Sequence, residues 1–124
     1  IDGAEHLLSI SDGPTAIVCA NDTMAIGVIK KLSKEGISVP DDISVIGFDD
    51  IRVASHMTPA LTTVSAPISE ISRHAVDLLQ AMMSGVNMEN RHIILPGQLM
   101  LRDTCAPVRN HIDSAPDARG ALHN

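Results

Sequence analysis

"GISVPDDISVIGFDD", Gly36 to Asp50, is the stretch on which the fold turns. A β-branched apolar run, "ISVIGF" (Ile43–Phe48), lies between two acidic pairs, Asp41-Asp42 and Asp49-Asp50. Such a run, bounded by turn residues, reads as a buried strand. Upstream, "TAIVCA" (Thr15–Ala20) reads as another fully buried strand, set off by "SDGP" before it and Asn21-Asp22 after it. Between them lies a helix with Asp22 as its N-cap. Ala25, Val28, Ile29 and Leu32 form its apolar stripe, and Lys30, Lys31 and Lys34 face water. Gly36 supplies the left-handed stop. Strand, helix and strand with short connections make a βαβ unit, so the two strands are expected to run parallel.

This unit separates the two acidic pairs. In open parallel sheets, ligands bind outside the carboxyl ends of the strands. Asp41-Asp42 precedes its strand and reads as a solvated turn. Asp49-Asp50 follows it, as Asn21-Asp22 follows the earlier strand. Asn21 and Asp49 are therefore expected on one rim. A carboxylate accepts several hydrogen bonds and a carboxamide both donates and accepts, which suits a small polyhydroxylated or amine-bearing ligand. Helix capping competes with ligand contact at Asn21, and more strongly at Asp22 and Asp50. Asp49 is the favoured ligand contact.

Further along, "IRVASHMTP" (51–59) reads as a short helix and "ALTTV" (60–64) as a strand. Pro67 opens a longer helix with a stripe of Ile71, Ala75, Leu78, Leu79 and Met82, ended by Gly85. "HIILP" and "QLMLR" read as two short strands, and residues 108–124 as a mobile tail. "GAEHLLSI" near the start reads as the end of a helix. The chain opens with "IDGAEHLL" rather than methionine, so the natural N-terminus is expected further upstream.

Composition narrows the function. The 124 residues are enough for one modest domain, and 44% are hydrophobic. A net charge of −6 argues against a nucleic-acid surface in these residues. Cys19 and Cys105 offer no zinc spacing, and a buried reduced thiol at Cys19 suits a reducing cytoplasm. No apolar stretch reaches the length of a membrane span. Phe48 is the only aromatic residue, so any stacking platform must be Phe48 or lie outside this sequence. The six histidines have no ligand spacing, so no metal and no cofactor is expected. No nucleophile elbow, phosphate loop or HExxH motif supports catalysis. A receiver-like site of strand-end acids would need further acids and a lysine that cannot be identified.

The segments "PTAIVCAND", "MAIG", "GISVPDDISVIGFDD", "TPALTTV" and "RDT" together resemble the lactose/galactose repressor (LacI/GalR) family of bacterial transcription regulators. The resemblance covers roughly Pro14 to Pro107. It implies the C-terminal portion (1–107) of a two-lobed α/β effector-binding domain, like a periplasmic sugar-binding protein, with the helix of residues 67–84 belonging to the other lobe. It implies a sugar or nucleoside-like effector contacted by Asn21 and Asp49. It also implies a homodimer whose interface includes Ile26, His56, Met57, Pro59 and Leu61. Operator DNA would be held by a headpiece absent from these residues. A solute-binding protein of a sugar transport system is the alternative, since it shares this architecture.

Overall fold

The computed structural model describes residues 2–10, 13–86 and 92–108. Eight short elements follow one another: α1 (Asp2–Leu8), β1 (Ala16–Val18), α2 (Asp22–Lys34), β2 (Ser44–Phe48), a single 3-10 turn (Ala54–His56), β3 (Thr62–Ser65), α3 (Ile68–Met83) and β4 (Gln98–Met100). The strands form one sheet in the order β1-β2-β3-β4. β1 and β2 pair in parallel with Ile17 opposite Val45, as the βαβ reading requires. β3 extends the parallel set, with Ile46 opposite Thr62. β4 runs antiparallel to β3, with Thr63 opposite Met100. The sheet is thus parallel over three strands and reverses at the fourth.

One face of the sheet makes the core. Ile17 and Cys19 from the first strand region and Ile43 and Val45 from the second meet Ala25, Ile29 and Leu32 of α2. Ala54 and Leu61 complete the cluster. Burying each large aliphatic side chain contributes about 1.5–3 kcal/mol, so this strip of contacts fixes the register of the βαβ unit. Burial pushes the Cys19 thiol pKa up, and both cysteines are free. Lys31 ties α1 to α2 through Glu5 at 2.9 Å and also pairs with Glu35 at 2.7 Å. The hydrogen bonds that Lys31 donates to Glu35 and Glu5 raise the Lys31 pKa, and accepting from Lys31 lowers that of Glu5. Gly36 adopts φ 75° where the helix stops.

Several expectations are corrected. β1 is not buried on both faces: Ile17 is buried, but Val18 is 77% exposed, because α2 covers only one side of the sheet. Asp22 is not the N-cap of α2. Asn21 is, with extended backbone (φ −156°) and its Oδ1 accepting from Met24 N at 2.8 Å. "HIILP" forms no strand over residues 92–96, since β3 is paired by β4 and offers it no free edge. Leu61, expected at a dimer interface, is fully buried in the core. The turn at Asp42 is as expected: its Oδ2 accepts from Ser38 N at 2.7 Å.

α3 forms where its stripe and Pro67 place it, and Gly85 follows it at φ 79°. None of its residues is buried, and Leu79 and Met82 are more than half exposed. The chain leaves the sheet after Ser65 and re-enters it at Gln98, and these two residues pair with one another. Both crossings therefore lie at the carboxyl rim of β3. The expected tail, apart from Val108, lies outside the described residues.

Candidate functional site

The carboxyl rim of β1–β3 is set by register. Val18 pairs with Ile46, and Asn21 and Asp49 each lie three residues beyond that pair. Neighbouring strands are about 4.8 Å apart, and the two polar residues follow the carboxyl ends of adjacent strands. Asp49 is exposed and Asn21 is half-buried. Because the Asn21 Oδ1 is committed to the helix cap, Asn21 offers a ligand the Nδ2 donor. Phe48, 42% exposed, precedes Asp49 at this rim.

The backbone at the rim is unusual. Asp49 has φ 107° and Asp50 φ 54°. Aspartate enters the left-handed well of Asp50 readily, but φ 107° is a region used mainly by glycine. Such a conformation costs about 1–3 kcal/mol and persists only when its surroundings hold it. Three groups do so. Asp49 N donates to the Val64 carbonyl at 2.9 Å, which keeps β2 and β3 paired up to the rim. Ile51 N donates to Asp22 Oδ2 at 2.8 Å. Arg102 donates from Nη2 to Asp50 Oδ1 at 2.6 Å and from Nη1 to the Leu61 carbonyl at 2.8 Å.

Asp22 lies beneath this loop. It is fully buried at the first turn of α2, and its Oδ1 accepts from the Thr63 hydroxyl at 2.5 Å. Thr63 Oγ1 in turn accepts a long 3.4 Å contact from Asp50 N. Gly47 is needed here: a Cβ on it would collide with the Asp22 carboxylate. Asp50, expected as a helix cap, instead pairs with Arg102, and no side chain caps the 3-10 turn.

Reading the sequence missed Gly47, Thr63 and Arg102. Thr63 and Arg102 lie 41 and 52 residues from their partners, Asp22 and Asp50. The only local hint was the lone arginine of "RDT" in a chain with several strand-end acids. The residues expected at an interface come from different elements. Ile26 is half-buried, off the buried stripe of α2, and His56 is exposed at the end of the 3-10 turn. Met57 and Pro59 are half-buried, and Met57 packs against the core. His56 Nδ1 lies 2.9 Å from the Arg52 carbonyl. Among the described residues, no group of three or more His, Cys, Asp or Glu side chains is placed to hold a metal ion. None of their helices is long and apolar enough to cross a membrane.

A mostly parallel α/β sheet with a polar rim at the carboxyl ends of its strands is the arrangement in which open α/β folds place their ligand sites. The family model for the periplasmic binding protein-like domain matches residues 2–105, and the chain belongs to that family, in the form found in lactose/galactose-type repressors. It is 41% identical over 100 residues to the probable HTH-type transcriptional repressor ExuR of Bacillus subtilis, covering 81% of this chain and 30% of ExuR. The lac repressor dimer, solved bound to operator and an anti-inducer, matches with TM-score 0.76 and 31% identity, over 86% of this chain and 37% of the repressor. A LacI family regulator of Enterococcus faecium, solved with bound ribose, matches with TM-score 0.74 and 30% identity, over 87% and 40% of the two chains. The chain thus spans about a third of the length of these relatives.

Proposed function

We propose that this chain is the effector-binding and dimerisation part of a bacterial DNA-binding transcription regulator and that its effector is a sugar or nucleoside-like metabolite. The observation that carries the reading is the paired placement of Asn21 and Asp49, three residues past one register pair on adjacent parallel strands. The exposed Asp49 carboxylate accepts ligand hydroxyls, and Asn21 Nδ2 donates to a ligand oxygen. The role is recognition rather than catalysis, carried out in the cytoplasm. The solved relative with ribose and the repressor bound to operator support this reading over solute transport. Ile26, His56, Met57 and Pro59 face a second subunit, while operator DNA is held by residues outside these 124. The α3 helix packs in the other lobe of the binding domain, which accounts for its unburied stripe.

Asp49→Asn in the full-length protein tests the site. The change preserves shape but removes the charge that strengthens each bond to a hydroxyl. A charge-assisted bond contributes about 1.5–3 kcal/mol, so affinity falls about tenfold or more. The measurement is calorimetric titration with D-ribose, other pentoses, hexoses, sugar acids and purine nucleosides. Unchanged affinity for the sugar that the wild type binds refutes the assignment.

A further inference from the structure

The Asp49 backbone sits where few non-glycine residues remain, so something must hold it. Besides the Val64 carbonyl on Asp49 N, the amides of the next two residues face groups that are not on the rim. Asp22 and Thr63 are both fully buried, and neither faces the surface on which a ligand would rest. Asp22 uses both carboxylate oxygens: one takes the Thr63 hydroxyl and the other the Ile51 amide. The Thr63 oxygen also faces the Asp50 amide. Two successive amides of the loop are thereby directed at one buried pair, contributed by the start of α2 and the middle of β3. A buried carboxylate is tolerated only when donors satisfy it. Here one donor is the Ile51 amide, and the other, the Thr63 hydroxyl, itself faces the Asp50 amide.

We infer that Asp22 and Thr63 are positioning residues that clamp the Asp49–Ile51 loop from below and thereby aim the Asp49 carboxylate at the effector. The functional half of this inference rests on the proposed role of Asp49; the clamp itself does not. Gly47 belongs to the device as the space into which the Asp22 carboxylate fits. The roles divide cleanly: Asp49 is the contact, and the buried pair decides where that contact points.

Thr63→Val removes the hydroxyl at nearly constant shape, whereas Thr63→Ser keeps it. Hydrogen–deuterium exchange of the full-length protein, without added ligand, is followed by mass spectrometry on peptides spanning residues 47–53. Loss of the clamp should raise exchange at the Asp50 and Ile51 amides by about tenfold or more, as local opening without global unfolding does. Peptides from α2 and from residues 42–46 stay at wild-type rates, and Thr63→Ser restores protection. Asp22→Asn, with a donor in place of one acceptor, gives the same local signature and serves if the valine variant does not fold.

Wild-type protection in Thr63→Val overturns the inference. So does acceleration spread equally over α2 and β2, or failure of both variants to fold, since the pair would then serve the whole core. Asp49→Asn leaves the exchange pattern unaltered. If it also leaves sugar affinity unaltered, the role of Asp49 falls while the clamp stands.

Discussion

Replacing Gly47 by alanine adds one methyl group at a crowded point of the βαβ unit. The new Cβ would lie 3.1 Å from Leu61 Cδ2 and 3.2 Å from Asp22 Cα, and closer still to Asp22 Oδ1. Leu61 can yield only by pushing into a filled core, since it is fully buried. The Asp22 carboxylate cannot turn aside without giving up the Thr63 hydroxyl or the Ile51 amide. Overpacking of this kind costs about 1–3 kcal/mol, and a lost buried hydrogen bond about 1–3 more. The lower backbone entropy of alanine in the unfolded chain returns only about 0.4–1 kcal/mol. The net loss is about 1–5 kcal/mol, a large share of a typical domain's stability. Urea unfolding of the full-length protein, followed by circular dichroism, should show a lower midpoint at an unchanged slope. A change within about 0.5 kcal/mol, the range of an inert surface substitution, would refute the account of Gly47 as the seat of the Asp22 carboxylate.

Two further outcomes follow from the same geometry. Arg102→Met keeps much of the side-chain bulk but strips donors from Asp50 and the Leu61 carbonyl, costing about 1–3 kcal/mol; urea unfolding unchanged from wild type would show that this ion pair is not supporting the rim. The 124-residue chain by itself should self-associate through the exposed stripe of α3, and Leu79→Glu with Met82→Glu should weaken that association; sedimentation of a compact, cooperatively melting monomer would remove α3 from the other lobe.

Patterns of short range were legible before any tertiary structure. The apolar run after Asp41-Asp42, the period of Ala25, Ile29 and Leu32, and the Gly36 stop are local signals. A strand's two-residue period and a helix's 3.6-residue period are imposed by the backbone itself. From them came the βαβ unit, the parallel pairing of its strands and the rim that carries Asn21 and Asp49. What the pattern could not reveal was how the acids divide their work. Asn21, not Asp22, caps α2; Asp22 is buried beneath the loop; Asp50 belongs to Arg102. The cap at Asn21 is local, but the roles of Asp22 and Asp50 depend on partners about 30 to 50 residues away and, for Asp22, on the volume left by a glycine in a neighbouring element. Likewise the reversed direction of β4 and the open face of β1 depend on which edges and faces the other elements leave uncovered. Local periodicity determines which elements form and which face turns inward. The assignment of each buried carboxylate waits on the packed chain, because only there do distant donors come within hydrogen-bonding reach.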